Sequence, residues 1–352
     1  MKGYQFEDTQ GTFHLKKAEN ISYLYFPIAG EAGLKSSLTP NLGGDAKIDQ
    51  NTFLLEPVSA ENLVNNRNSR NFWCNVKGIG SWSLTGNAAE ALSKKFTEMQ
   101  DDSEVTAGFM WQKTTRESKK YQLRGEILSF IPVEKNVEVM LVTITNTGRM
   151  AQTVTPTAAI PLYGRSADNI RDHRHVTSLL HRIETTDTGV LVTPTLSFDE
   201  RGHQVNHMTY YCVGWSGNGE KPVDFYPTAE DFVGEGGNFE RPYAIVKKAE
   251  GVKAGTRIEG LEAVGGLHFS EVTLEPEEEC SYLIFTGITE DIQEIRNLSK
   301  TYTTREMVLE ELEKTKAYWQ GKVNVAYHTG DSDFNQFMHW VSFQPILRRI
   351  YG

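Results

Sequence analysis

The alternation of apolar and polar positions changes character once along this chain. From the start to about residue 288, apolar residues come in short β-branched or aromatic runs punctuated by turn residues, the pattern of strands. The clearest run is Lys135–Gly148, rich in Val, Ile and Thr and ending in the turn signal Asn146-Thr147-Gly148. Further strands are expected at Ile21–Pro27, Gln122–Pro132, Gln152–Pro161, Gly189–Thr195, Met208–Trp215, Leu267–Leu274 and Cys280–Gly287. Turns are expected at Asn41–Gly44, Ser216–Gly219 and Glu235–Asn238. Many short strands without interleaved helices predict a mainly β fold, a large antiparallel β-sandwich.

After residue 288 the period becomes helical. Thr289 is expected to cap a short helix carrying Ile292, Ile295 and Leu298. Thr303-Thr304-Arg305-Glu306 reads as a capping box, with Thr303 as N-cap and Glu306 three positions on. Met307, Val308, Leu312 and Trp319 would form the apolar stripe of the helix that follows. The segment from Asp331 to Tyr351 is apolar on nearly every face, as a helix inside a larger helical core would be. Pro345 is expected to kink that helix or end it early. The organisation expected is a sandwich over 1–288, a helical linker over 289–328, and the start of a truncated helical domain over 329–352. The alternative is a last helix that packs back on the sandwich.

Composition narrows the class. Charged residues are 23% and the apolar set 39%, a core-forming balance that excludes a disordered or collagenous chain. Lys and Arg number 36 against 46 Asp and Glu, a net charge of −10, which argues against nucleic acid or anionic membrane as partner. Cys74, Cys212 and Cys280 are too few and too scattered for a disulfide framework, and are expected to be reduced. Apolar runs such as Val139–Val142 and Tyr282–Phe285 have four members, where a membrane span needs about 20. The expectation is a soluble cytoplasmic protein.

Local signatures of phosphate loops, dinucleotide turns, nucleophile elbows and zinc helices are absent. His173, His175 and His181, and separately His203 and His207, are the candidate metal ligands; polar loop residues satisfied by hydrogen bonds are the preferred reading. No metal or cofactor is expected. The Tyr163–Thr177 segment gathers Arg, Asp, Asn and His, including Asp168, Arg174 and His175. These are the groups sugar hydroxyls require, since each hydroxyl both donates and accepts. The segment reads as a wall of a saccharide site or as an interface loop. Asn62–Trp73 and Gly80–Gly86 place Trp73 and Trp82 beside amides; both indoles are read as core before sugar platform. Arg348 and Arg349 lie within the last apolar helix. They need a carboxylate, a sugar hydroxyl network or a phosphate, unless they serve the helix C-terminal dipole.

Tyr23–Pro27, Ser37–Asp45, Asn51–Ser59, Ser69–Trp73, Gly80–Ser83 and Phe343–Arg349 together resemble the N-terminal part of glycoside hydrolase family 94. This is the family of cellobiose, cellodextrin, laminaribiose and chitobiose phosphorylases, and the laminaribiose-phosphorylase-like branch is the nearest in character. The resemblance implies a β-sandwich, a helical linker and an (α/α)6 barrel of which only the first helix is present. It implies inverting phosphorolysis of a β-linked gluco-oligosaccharide by inorganic phosphate, giving α-glucose 1-phosphate. The general-acid Asp and the phosphate ligands are implied to lie beyond Gly352, so no catalytic residue is assigned here and the chain alone is expected to be inactive. Arg348, with Arg349 as the alternative, matches the family's sugar-holding Arg. The resemblance further implies a homodimer and a loop leaning toward an active site, for which Tyr163–Thr177 is the candidate. The alternative function is a non-catalytic carbohydrate-binding or dimerisation module serving a separate catalytic chain.

Overall fold

A computed structural model describes residues 3–21, 24–59, 62, 65–170, 174–199 and 202–352, without the side chains of 170, 174, 175 and 199. The described residues are mainly β. An 11-stranded antiparallel sheet runs, in spatial order, through Tyr4–Phe6, Phe13–Lys16, Asp102–Gly108, Trp111–Ser118, Leu123–Phe130, Val137–Asn146, Glu279–Thr289, Thr209–Ser216, Gly189–Val192, Arg182–Thr185 and Arg257–Glu259. Facing it is a six-stranded sheet of Asp224–Thr228, Ala263–His268, Gln152–Leu162, Asn71–Val76 and Gly80–Ser83, with Val272–Leu274 also paired to Gln152–Leu162. A four-stranded sheet, Phe26–Ala29, Lys35–Leu38, Ala46–Asp49 and Thr52–Leu55, extends the second layer.

The main core lies between these layers. Leu123, Ile127, Val142 and Ile284 of the large sheet meet Phe72, Cys74, Val154 and Ile160 of the six-stranded sheet, and Ile28, Leu38 and Leu54 of the small one. Val137–Asn146 is buried along most of its length, because its far face is covered as well. There Val139, Leu141, Phe285 and Trp215 pack under helices Ile292–Thr301 and Arg305–Gln320 through Ile295, Leu298, Val308 and Leu312. Burying both faces turns the expected alternation into a continuous apolar run.

Two caps fall elsewhere than the spacing suggests. Asp291, not Thr289, caps Ile292–Thr301, its carboxylate accepting from the Gln293 amide at 2.9 Å. Thr289 is still in its strand, and its hydroxyl donates to the Glu294 carboxylate instead. Thr304 rather than Thr303 precedes Arg305–Gln320, and Glu306 hydrogen-bonds the Thr304 side chain.

The last helix, Ser332–Tyr351, runs through Pro345 without interruption. Pro345 is on the exposed face, where the Val341 carbonyl that loses its donor can be solvated. The opposite face packs back on the sandwich: Phe343 is fully buried and stacks on Phe109 with ring centroids 4.2 Å apart. Trp340 donates its indole N–H to the Gly11 carbonyl at 2.8 Å, and Gln336 accepts the Gly11 amide at 3.0 Å. Phe334 and Val341 remain about half exposed, as does Phe337, whose ring packs edge-on against Tyr4 and Phe6 of the large sheet. The helix is thus held on one face by the sandwich, not surrounded.

Candidate functional site

A groove opens between the last helix and the first two strands of the four-stranded sheet. Val341, Gln344, Pro345 and Arg348 line it from the helix, and Tyr25, Pro27 and Ser37 from the sheet side. The helix is fixed there by side chains that clamp backbone. The Tyr351 hydroxyl shares its one proton between the carbonyls of Ser36 at 2.7 Å and Ile28 at 3.0 Å. Burial pushes its phenol far above the ordinary range, so it stays a neutral donor. The Lys35 ammonium donates to the Ile350 carbonyl at 2.8 Å, supplying a cation at the helix C-terminus.

The two arginines separate. Arg348 is exposed and faces the groove. Arg349 forms a two-point ion pair with Glu31, Nη2 to Oε1 at 2.7 Å and Nη1 to Oε2 at 2.9 Å. That bond, more than any other cause, holds the Glu31 carboxyl below the usual range. Arg349 is therefore occupied by a structural carboxylate, while Arg348 presents its guanidinium to the groove.

The Tyr163–Thr177 segment leaves the far edge of the same small sheet. Phe53 and Arg165 form an isolated antiparallel bridge, and the Ala167 amide donates to the Gln50 carbonyl at 2.9 Å. Three strand spacings, roughly 14 Å, separate this edge from the strand beside the groove. The segment is internally anchored by Arg165, which is buried and donates to the Tyr163 carbonyl, the Thr177 hydroxyl and the Glu262 carboxylate, the last at 2.8 Å. Asp168 is exposed on the short helical turn Ala167–Ile170. Arg174 and His175 lie in the helix Arg174–Ser178, but their side chains lie outside the described residues, as does all of His173. The structure thus puts Arg348 and the Asp168 segment at two edges of one small sheet.

Other candidates resolve into the fold. Trp73 and Trp82 are each 3% exposed and belong to the core, as expected for the indoles. The amide- and arginine-rich stretch before Trp73 is also interior: Asn66, Ser69, Arg70 and Asn71 are buried. Its Arg70 pairs with Glu138 and its Asn66 accepts from the Thr85 hydroxyl, so this stretch is a buried network between sheets. His181 is fully buried, with Nδ1 3.2 Å from the Leu261 carbonyl. Burial first, and then the Arg165 charge, push its pKa down to about 3. His203 is exposed and packs edge-on against Phe198. Among the described residues no cluster of three or more His, Cys, Asp or Glu could hold a metal ion. Nor is any helix among them long and apolar enough to cross a membrane.

Sequence reasoning passed over Tyr25, Gln344 and the clamps Glu31 and Tyr351. Tyr25 lay inside a run read as a strand and as part of the family resemblance, with no site role, and nothing local marks Glu31 as the partner of a residue 318 positions away.

The family model for the glycosyl hydrolase 94 supersandwich domain matches residues 57–305. No curated protein sequence matches the chain. Among solved structures, a bacterial glucoamylase complexed with acarbose aligns with a TM-score of 0.49 at 10% identity, over 96% of this chain and 41% of that one. A family GH92 α-mannosidase from Bacteroides thetaiotaomicron aligns with a TM-score of 0.45 at 11% identity, over 93% of this chain and 38% of that one. The chain therefore spans about two fifths of the length of these two proteins.

Proposed function

This chain belongs to the glycosyl hydrolase 94 family, and from that membership we propose that it is the N-terminal portion of an inverting β-glucoside phosphorylase, laminaribiose-phosphorylase-like in specificity. The observation that carries the reading is the family match across 57–305, the body of the sandwich. In this reading inorganic phosphate attacks the anomeric carbon of a terminal β-glucosyl unit. The bond to the leaving sugar breaks as an acid protonates its oxygen, and the products are α-glucose 1-phosphate and the shortened sugar. In this reading the acid and the phosphate ligands belong to an (α/α)6 barrel whose first helix is Ser332–Tyr351.

The part proposed for this chain is positioning. Arg348, exposed in the groove, holds hydroxyls of the glucosyl unit beside the cleaved bond by charge-assisted hydrogen bonds. The loop bearing Asp168, Arg174 and His175 supplies a second wall. Arg349 is withdrawn from the sugar role, because its guanidinium is paired with Glu31. A cytoplasmic homodimer remains part of the proposal.

The test is phosphorolysis by the product of the complete gene, offered laminaribiose, cellobiose and sophorose with and without inorganic phosphate. The expected result is α-glucose 1-phosphate, formed only with phosphate and fastest from laminaribiose. Release of free glucose independent of phosphate, or no turnover of any of the three, overturns the reading.

A further inference from the structure

A second concave pocket lies on the outer face of the six-stranded sheet, apart from the helix groove. It sits between the hairpin of Asn71–Val76 and Gly80–Ser83 and the short helix Tyr243–Lys247. Trp73, 3% exposed, lines it, and its indole N–H is buried with no acceptor among the described residues. A buried donor left unpaired costs about 1–3 kcal/mol, so the Trp73 N–H as it stands lacks an acceptor that a ligand could supply.

The lining around that donor is mixed in a particular way. The Asn75 amide donates to the Ser81 hydroxyl at 3.0 Å, which leaves the amide oxygen to accept. Glu240 takes the Asn66 amide on one carboxylate oxygen at 3.3 Å and has a second oxygen. Arg241 is exposed on the rim. Beside these polar groups Ile79 and Val246 are 45% and 40% exposed, giving an apolar shelf.

Donors, acceptors and an apolar shelf together match one class of ligand. A sugar ring carries hydroxyls that both donate and accept around its edge, and C–H groups on its faces. Glu90 and Glu240 offset Arg241 and Lys248 in the lining, so an inorganic anion would find no net positive charge to hold it. A wholly apolar ligand would leave the indole N–H as unpaired as before.

We propose that this pocket binds a neutral saccharide unit, one hydroxyl oxygen accepting the Trp73 indole N–H, the remaining hydroxyls meeting Asn75, Glu240 and Arg241, and a ring face lying on Ile79 and Val246. Entry asks the rim side chains to give way, since the indole is nearly covered. The site would tether a longer β-glucan to the domain at a distance from any bond being cleaved. It rests on the pocket's own chemistry and stands whether or not the chain is part of a phosphorylase.

The experiment is a titration of the chain with cellotriose and with laminaritriose, followed in the indole region of proton–nitrogen NMR spectra. Six tryptophans give six indole signals, and Trp73→Phe identifies one of them. The Trp73 signal is expected to shift saturably with at least one trisaccharide. Arg241→Ala, which removes a hydrogen-bond donor, and Val246→Asp, which puts a charge on the apolar shelf, are both surface changes and are each expected to weaken that binding by about tenfold. If Trp73→Phe does not fold, the signal is assigned by its through-space contacts to Ala88 and Ile245, and the surface variants carry the test. Arg348→Ala is expected to leave the titration unchanged, which separates this site from the groove. A Trp73 signal that stays still at tens of millimolar of both sugars, or that moves equally in Val246→Asp, overturns the proposal.

Discussion

Arg70 and Glu138 form a two-point ion pair in the interior, Nε to Oε1 at 2.7 Å and Nη2 to Oε2 at 2.9 Å, with both side chains essentially free of solvent. Glu138 belongs to the 11-stranded sheet and Arg70 directly precedes a strand of the six-stranded sheet. The guanidinium also donates to the Gly44 carbonyl at 2.6 Å, and the carboxylate accepts from the Ser36 hydroxyl at 2.6 Å. Both of those partners belong to the small sheet or its turn. One pair therefore ties three sheets together. Gly44 is held at φ +114° with no room for a Cβ, which would lie 1.8 Å from the Ser37 carbonyl oxygen.

Breaking one side of this pair leaves an unpaired charge in the core. Arg70→Ala or Glu138→Ala is expected to cost about 3–5 kcal/mol in urea unfolding. Replacing both with apolar residues of similar volume is expected to cost less than either single change. Single variants within experimental error of the parent would mean that the pair is not the tie described here.

His181 makes stability depend on pH in a definite direction. Its folded pKa of about 3 lies below the unfolded value of about 6.5. Between those values the unfolded chain binds a proton that the folded chain refuses, so stability is fully present above pH 6.5 and falls as pH falls. One proton corresponds to a slope of up to about 1.4 kcal/mol per pH unit. His181→Asn is expected to flatten the stability profile between pH 6.5 and 4 relative to the parent. Parallel profiles would show that His181 does not titrate with unfolding in this window.

The strands legible in the chain were those whose apolar runs were long enough to announce themselves. Val137–Asn146 and Glu279–Thr289 are nearly continuous in apolar and β-branched residues because both faces are covered. Trp111–Ser118 and Asp102–Gly108 alternate with charged residues on an open sheet face, so their pattern carried little weight until their neighbours were known. The amide-rich stretch before Trp73 stayed ambiguous for a different reason. A buried polar network and a sugar site draw on the same residue types, and only burial tells them apart. The last helix was apolar enough to be read as a core helix, but which face packs depends on Phe109 and Gly11, more than 200 residues away.

That docking is itself measurable. Phe343 is fully buried between Phe109 and Trp319, and truncating it leaves a cavity under the helix. Phe343→Ala is expected to cost about 3–5 kcal/mol of the helix's docking. Fluorescence of Trp319 and Trp340 should then change at lower denaturant than circular dichroism of the sheets. Coincident transitions would mean instead that the helix and the sandwich unfold as one unit.

Arg348 and Arg349 are adjacent in sequence and opposite in expected consequence. Arg349 is spent on Glu31 at a largely exposed site, where an ion pair is worth no more than about 1 kcal/mol. In the product of the complete gene, assayed for the proposed phosphorolysis, Arg349→Ala is therefore expected to lower the melting temperature slightly and to leave kcat/KM unchanged. Arg348 is exposed in the groove, so Arg348→Ala should leave the melting temperature alone. Hydrogen bonds from a charged donor are worth about 1.5–3 kcal/mol, and losing them should reduce kcat/KM by roughly tenfold to a hundredfold. Arg174→Ala and His175→Ala, on the loop at the other edge of the small sheet, should fall on the kinetic side of the same comparison. A kinetic loss at Arg349 with none at Arg348 would reverse the assignment and place the sugar on the Glu31 side of the helix.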